Sequence, residues 1–398
     1  MKISTQTQEF GNNFIWNWSP LDLTAWTGNL NLFITIYNTI LGKTPNFIFE
    51  ATESFQHAAN GGHSEVCKFI LDNIENKALN INPKHEGTGR TLLHSAVFDG
   101  NYEIAKLIID NMDTKEYPRD KYGQTPFHDA AEFGDFEICK LFVEHMDTEE
   151  LPRNNAVRTP LHYAAQFGHF EICQFFMNNF KDPNQISDVR GRTALHTASL
   201  PDEDFNFDNH KVCKLLVDDS NNKNPRDHEG ITPLHLPSKG EHLEAFHYIF
   251  DQVDEKNPMD IYGLTPLENS VKHHQFNICK FIINKMEDKN PKVHDGPEAD
   301  TLLHKSALYG NLEIHEYLMD LDQDKNPKNE DGYTPLHFAA LKGKSAIIKL
   351  IIEKVYEKNP KNNDGQTPFD LASVKDKKIL YEAMLAKFTF LEFDRRSM

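Results

Sequence analysis

Apolar residues along the chain fall into short helical runs that recur at a nearly constant spacing. In residues 136–144, Ile138, Leu141 and Phe142 have the spacing of one side of a helix. A shorter run precedes it and begins at Thr125, whose hydroxyl can cap a free amide, while the Pro that follows fits the first helical position. A Gly nine residues after that Thr can adopt the left-handed conformation that ends a helix. The pattern therefore predicts a pair of helices followed by a polar turn.

The same pattern repeats along almost the whole chain. Thr-Pro-apolar-His occurs four times, and looser copies fill the intervals between them. The copies start at residues 19, 53, 91, 125, 159, 193, 232, 265, 301, 334 and 367. A second Gly, two residues before most of these starts, indicates a hairpin-like connecting turn. About eleven helix pairs joined by such turns account for nearly every residue.

A helix, a turn, a second helix and a projecting turn at this spacing resemble the ankyrin repeat. The resemblance is clearest at residues 120–131, Asp-Lys-Tyr-Gly-Gln-Thr-Pro-Phe-His-Asp-Ala-Ala, which Gly134 and a second helix follow. It implies an all-α ankyrin-repeat solenoid of about eleven helix-turn-helix units. We divide the chain into an N-terminal cap with a degenerate first repeat at 1–52, a repeat array at 53–366, and the last repeat with a C-terminal capping segment at 367–398.

The chain departs from the ankyrin pattern at the ends of its units. The usual Gly-Ala-Asp is replaced by Lys-Asn-Pro at 223–225, 256–258, 289–291, 325–327 and 358–360. The units that begin at Thr91 and Thr301 also have Leu in place of Pro. We expect these departures to alter the local register of the repeats and to leave the fold unchanged.

Charge and hydropathy narrow the classes of partner. The net charge is −18 at pH 7, shared evenly between the two halves of the chain, and there is no basic block. Nucleic acids and anionic membrane surfaces need a positive face, so we expect neither as a partner. The N-terminus is polar, and no apolar stretch reaches the roughly 20 residues that span a bilayer. We expect a monomer in the cytoplasm, with the nucleus as the open alternative.

Cysteine and histidine are the residues that most invite a chemical role. All five cysteines occupy the same position in second helices: Cys67, Cys139, Cys173, Cys213 and Cys279. This position predicts buried thiols that form no disulfide and no zinc site. Seven of the 20 histidines share the last position of the Thr-Pro-apolar-His pattern, where we expect them to bond the connecting turns. No nucleophile–base pair or phosphate loop is visible. We therefore expect no catalytic residue, no cofactor, no metal and no enzyme activity.

One set of residues favours a binding surface. The ankyrin resemblance implies that the turn tips and the ends of the first helices line one concave face. On that face the chain places basic and aromatic residues: Arg90, Phe98, Lys121, Tyr122, Phe133, Arg158, Phe167, Arg190 and Arg192. Arg and aromatic residues dominate interface energetics, and local positive charge favours an acidic or phosphorylated partner segment. Alternatively, the arginines pair with nearby acids such as Asp129, and the Phe rings pack between units.

These observations predict a non-enzymatic protein–protein interaction scaffold or adaptor that binds its partner through the concave face. The alternative is a regulatory or inhibitory subunit, or an effector, that occludes one enzyme partner. A third interpretation is a tethering array whose ends matter more than its face. The sequence does not select a partner, because one fold hosts many unrelated functions.

Overall fold

The structure is a computed structural model. It describes residues 18–43, 51–73, 82, 84–112, 116–146, 150–200, 209–240, 243–287, 300–322 and 324–382. The chain divides into two compact units, residues 1–189 and 190–398. The described residues form helices and turns with one isolated β-bridge, between Lys84 and Thr91, and contain no strand. The all-α prediction is confirmed.

In the first unit, short first helices alternate with longer second helices. These are α1 Pro20–Trp26, α2 Leu30–Lys43, α3 Ala51–Asn60, α4 Ser64–Asn73, α5 Leu92–Phe98, α6 Tyr102–Asp110, α7 Pro126–Phe133, α8 Phe136–His145, α9 Pro160–Gln166 and α10 Phe170–Asn179. A 3-10 turn, Pro183–Gln185, follows. First helices pack on first helices and second helices on second helices, so that each repeat covers its neighbour.

The second unit follows the same order. Its helices are α11 Ala194–Ala198, α12 His210–Asp218, α13 Leu243–Gln252, α14 Pro266–Lys272, α15 Phe276–Lys285, α16 Leu302–Tyr309, α17 Leu312–Leu321, α18 Pro335–Leu341, α19 Ser345–Lys354 and α20 Pro368–Leu371. A 3-10 helix, Pro237–Lys239, stands before α13, and residues 374–382 are helical.

Aromatic rings fill part of the core between the repeats of the first unit. Phe127 lies 5.2 Å from Phe142 and 5.3 Å from Phe176, measured between ring centroids. All three side chains are fully buried. The five cysteines are also buried free thiols, as predicted. Burial raises the pKa of Cys67 and of Cys279 to about 12, which leaves these thiols almost wholly protonated at neutral pH.

Where it is present, the repeated histidine joins its repeat to the next. In α7, His128 Nδ1 accepts the backbone N–H of Thr125 at 3.1 Å, and its Nε2 donates to the carbonyl of Arg158 in the following repeat at 3.0 Å. An Nδ1 that accepts and an Nε2 that donates define the neutral ring with its proton on Nε2. His94, His196, His235, His304 and His337 make the same pair of contacts. The predicted role of these histidines is confirmed.

The connecting turns are held by a side chain within each turn and by hydrogen bonds between successive turns. Asp120 Oδ1 accepts the backbone N–H groups of Tyr122 and Gln124 at 2.8 and 2.9 Å. The N–H of Lys121 then donates to the carbonyl of Thr88, one turn earlier, at 3.0 Å. Equivalent bonds within the second unit join His228 to Arg190 and Ile261 to Glu229. The turn tips are therefore fixed relative to the helices that follow them.

Three of the Lys-Asn-Pro segments, which depart from the ankyrin pattern, have a structural role. Asn326 Oδ1 accepts the backbone N–H of Leu336 at 3.1 Å, and Asn257 and Asn359 make the same bond to Leu267 and Phe369. Each bond occupies a free amide in the first turn of the next first helix. The Asn therefore supplements the cap that the Thr provides. It does so from a position ten residues before the amide that it binds.

The repeat that begins at Thr232 lacks a regular first helix. Its Thr–His cap forms as in the other repeats, but Pro237 stands where an α-helix would need a backbone N–H, and its ring would clash with the preceding turn. The chain instead makes turns and the 3-10 helix Pro237–Lys239. The pattern at residues 232–235 predicted a helix start without taking this proline into account.

The predicted cap segments lie only partly within the described residues. Residues 1–17, 44–50 and 383–398 lie outside them. Ser19 caps α1 together with Asp22, as the degenerate start at residue 19 predicts. The proposed division at 52/53 and 366/367 stays a prediction.

One connecting turn contains a non-glycine residue where its neighbours have Gly. Val157 has φ 61°, whereas Gly123 and Gly191, at the same repeat position, have φ 74° and 81°. A β-branched residue in this region costs about 1–3 kcal/mol. We predict that Val157→Gly raises the free energy of unfolding by about 1 kcal/mol, after allowance for the greater chain entropy of Gly. Urea denaturation followed by circular dichroism would measure it.

The matched control is Ala156→Gly in the same turn, where no such strain is relieved. It should lower the unfolding free energy by a few tenths of a kcal/mol. A urea midpoint for Val157→Gly at or below that of Ala156→Gly would contradict the strain argument.

The buried histidines predict loss of stability in acid. Burial lowers the pKa of His94 and His235 to about 4 and that of His128 and His315 to about 3. The unfolded chain therefore binds more protons than the folded chain below about pH 6.5, so stability falls as pH falls. We expect each of these histidines to remove about 2 kcal/mol between pH 7.5 and pH 5.

The variant His128→Gln separates the contribution of one histidine from the contribution of the carboxylates, which titrate in the same pH range. Its amide can accept from Thr125 and donate to Arg158, but it does not titrate. We expect a lower urea midpoint at pH 7.5 and a shallower decline towards pH 5 than in the wild-type chain. An equally steep decline in both proteins would show that His128 does not contribute.

Candidate partner-binding surfaces

Two aromatic side chains of the first unit meet in solvent. Phe98 is the last residue of α5 and Phe133 the last residue of α7. They lie seven and eight residues, respectively, after the Thr that starts each helix. Their ring centroids are 5.1 Å apart and their planes are at 83°. The two residues are 60% and 49% exposed. An edge-to-face pair of this kind normally contributes to a core or an interface.

The turn that precedes α7 presents two further predicted residues. Lys121 is exposed and Tyr122 is 61% exposed, and the Lys121 ammonium lies 5.0 Å from the centre of the Tyr122 ring. The Asp120 carboxylate fixes this turn as described above. We call Phe98, Phe133, Lys121 and Tyr122 the aromatic surface.

Arg90 is engaged within the first unit. Its guanidinium pairs with the buried Asp129 carboxylate of α7 at 2.5 Å, which confirms for this arginine the alternative that it pairs with a nearby acid. Burial raises the pKa of Asp129 to about 7, and the charge of Arg90 opposes the rise. Burial therefore disfavours the charged form of this carboxyl, and Arg90 favours it.

Arg158 and Phe167 are half-buried and contact their own repeat. The Arg158 guanidinium lies 4.2 Å from the centre of the Tyr163 ring, and its Nη2 donates to Gln166 Oε1 at 2.6 Å. The Phe167 ring stacks on the imidazole of His169, with centroids 6.5 Å apart. Both side chains are held in fixed positions at the edge of α9.

Two residues of the predicted stripe belong to the second unit. Arg190 is exposed and precedes Gly191 in its turn. The Nε of Arg192 donates to the buried Asp227 carboxylate at 3.1 Å. The structure therefore brings Arg192 together with an acid of the next repeat, as it does Arg90.

Sequence reasoning missed a group of basic residues in the second unit. Lys239, Lys272 and His273 occupy the repeat positions that hold Phe98 and Phe133 in the first unit, seven or eight residues after the starting Thr. Applying this spacing to basic as well as aromatic residues would have found them. Lys239 is half-buried, and Lys272 and His273 are exposed.

These basic groups lie close enough to influence one another. Burial lowers the pKa of Lys239, and the positive charges of Arg192 and Lys272 lower it further. Burial likewise lowers the pKa of His273, helped by Lys239 and Lys272. The turn before α14 adds two exposed apolar side chains, Ile261 at 63% and Tyr262 at 62%. We call Lys239, Lys272, His273, Ile261 and Tyr262 the basic surface.

The described part of the chain holds no group of three or more His, Cys, Asp or Glu side chains placed to bind a metal ion. None of its helices is both long and apolar enough to traverse a bilayer. The two surfaces are suited to noncovalent contact: they have exposed rings that can bury apolar side chains, and ammonium groups that can bind carboxylates.

Comparison with known proteins identifies the repeats. The family model for ankyrin repeats in three copies matches residues 54–151, 203–295, 287–364 and 303–387, and the model for many copies matches 127–177 and 161–200. The ankyrin repeat domain of human ASB11, a crystal structure, is 20% identical, covers 57% of this chain and 98% of that chain, and has a TM-score of 0.49. The search of curated proteins finds no match. The chain belongs to the ankyrin repeat family, all-α repeat solenoids that generally mediate protein–protein interaction and are typically non-enzymatic.

Proposed function

We propose that this protein is a scaffold or adaptor and that its first unit binds a protein partner through the aromatic surface. The observation that carries the proposal is the Phe98–Phe133 pair, two large rings held together in solvent at the ends of successive first helices. Burying them against a partner would remove apolar area from water at little cost in side-chain entropy, because helix ends already hold them.

The surrounding contacts support a pre-formed surface. The Asp120 carboxylate and the bond from Lys121 to Thr88 hold the turn that carries Tyr122. The ion pair of Arg90 with Asp129 ties α7 to the turn before α5. A partner would therefore meet side chains already in place, which favours affinity.

The positive charge available on the aromatic surface is small. Arg90 is paired with Asp129 and Arg158 is stacked on Tyr163. Lys121 is exposed. We propose a partner segment that offers apolar side chains to the rings and an acidic or phosphorylated group to Lys121.

We also propose a cytoplasmic location and a monomeric chain. Five free, buried thiols suit a reducing compartment. An adaptor in this sense needs no second copy of itself, because each unit has its own core and its own exposed side chains.

Affinity capture from a cell extract tests the aromatic surface. The variant combines Phe98→Ser, Phe133→Ser and Tyr122→Ala. We expect it to capture the principal partners at a level reduced roughly tenfold or more, because aromatic hot spots each contribute about 2 kcal/mol or more. Its melting profile should remain within a few degrees of wild type, since all three side chains are largely exposed.

The matched control changes exposed residues of second helices in the same unit, Lys68→Glu and Gln174→Ala, and should capture partners normally. Equal capture by the aromatic variant would place the binding site elsewhere. A single stoichiometric enzyme partner whose turnover falls on binding would favour the inhibitory subunit over the adaptor.

A further inference from the structure

The basic surface of the second unit has two ammonium groups that form no ion pair with the described residues. Among the residues that the structure describes, neither Lys239 nor Lys272 makes a hydrogen bond or ion pair to a carboxylate. The 3-10 helix that ends at Lys239 packs against α14, which ends at Lys272. Two like charges are thus held on packed helix ends in a chain whose net charge is −18.

The acids nearby have other partners or lie on the turn tips. Asp227 accepts from Arg192 and from the N–H groups of its own turn, and Asp260 accepts from the N–H groups of Tyr262 and Leu264. Glu229 is exposed on its turn. These carboxylates therefore stabilise turns and form no ion pair with the lysines, although the charges of Asp260 and Glu229 favour the protonated form of Lys239 from a distance.

Apolar side chains adjoin these charges. Ile261 and Tyr262 form the tip of the turn that leads into α14, and the Ile261 N–H donates to the backbone carbonyl of Glu229 at 2.9 Å. Asp260 fixes the same turn through its bond to Tyr262. Both tip side chains project into solvent from a fixed backbone, although burial would favour them.

We propose that the basic surface is a second, independent binding site, and that it takes an acidic peptide segment of a partner protein in which carboxylates alternate with apolar side chains. The carboxylates would bind Lys239 and Lys272, with His273 beside them. The apolar side chains would cover Ile261 and Tyr262. This proposal does not depend on the aromatic surface.

A peptide suits this surface better than a nucleic acid. Lys239, Lys272 and Arg192 are few charges, and Glu229 and Asp260 lie within range of them. A polyphosphate carries more negative charge than a short acidic segment, so Glu229, Asp260 and the net charge of −18 oppose its binding more strongly. Ile261 and Tyr262 also match apolar side chains, which a phosphate backbone lacks.

Fluorescence anisotropy with synthetic peptides tests the proposal on the 398-residue chain. The probe is a labelled peptide that repeats Glu-Glu-Leu-Tyr, and its comparison peptide has Gln for every Glu. We expect the Glu peptide to bind at least roughly tenfold more tightly, and to bind less tightly as salt is raised. Single-stranded oligothymidine serves as the nucleic-acid probe.

Variants then locate the site. Lys239→Glu with Lys272→Glu should weaken binding of the Glu peptide by roughly tenfold or more. Ile261→Ser with Tyr262→Ala should weaken it several-fold. The matched control, Lys211→Glu with Lys349→Glu, makes the same charge change on exposed positions of α12 and α19 and should bind as wild type.

Three results would overturn the proposal. The Glu peptide does not bind; the Lys239/Lys272 variant binds the Glu peptide as tightly as the wild-type chain does; or oligothymidine binds the wild-type chain more tightly than the Glu peptide does and fails to bind this variant. Circular dichroism checks folding, and if charge reversal unfolds the second unit, Lys239→Gln with Lys272→Gln replaces it. The aromatic-surface variant should retain the part of the Glu-peptide binding that the Lys239/Lys272 variant loses, so that failure of one site is distinguishable from failure of the other.

Discussion

The contact on which the repeats depend is the neutral imidazole between a helix start and the next turn. One ring nitrogen of His128 accepts from the Thr125 amide, and the other donates to the carbonyl of Arg158. The same ring thus caps one helix and fixes the turn of the following repeat. Because each repeat buries its apolar face only against its neighbours, an error in this contact would displace every residue that the turn presents.

Acidic residues replace this histidine at three repeats and perform only half of its role. Asp22, Glu268 and Asp370 accept from the capping Ser or Thr of their own helix. A carboxylate has no proton to donate to a carbonyl of the following turn. Instead, the Ser54 hydroxyl of α3 donates to Asp22 at 2.5 Å. The link between repeats there runs in the opposite direction, from the next helix to the cap.

The sequence predicted the elements better than the surfaces, for a physical reason. Caps, helix periods and Gly turns depend on residues close together in the sequence. The roles of Thr125 and His128 can therefore be assigned, because the two are only three residues apart. The ion pair of Arg90 with Asp129 joins residues 39 apart, and the basic surface joins Lys239 to Lys272. These depend on how one repeat is stacked on the next. Pro237 and Val157 can both be read from the sequence. Their effects on a first helix and on a turn can be predicted only when each is assigned to a repeat position, because that position determines the backbone conformation required there.

The two surfaces differ because the same repeat positions carry different chemistry. Seven or eight residues after the starting Thr, the first unit places Phe98 and Phe133, and the second places Lys239, Lys272 and His273. Caps and turns set the backbone at these positions, except that Pro237 places Lys239 at the end of a 3-10 helix, so the side chains can vary without loss of the fold. Apolar rings favour affinity through burial, whereas ammonium groups favour one sign of partner charge. If both proposed surfaces bind, one chain with both chemistries, each on its own compact unit, would hold two unlike partners, and that is the basis on which we propose an adaptor over an inhibitory subunit.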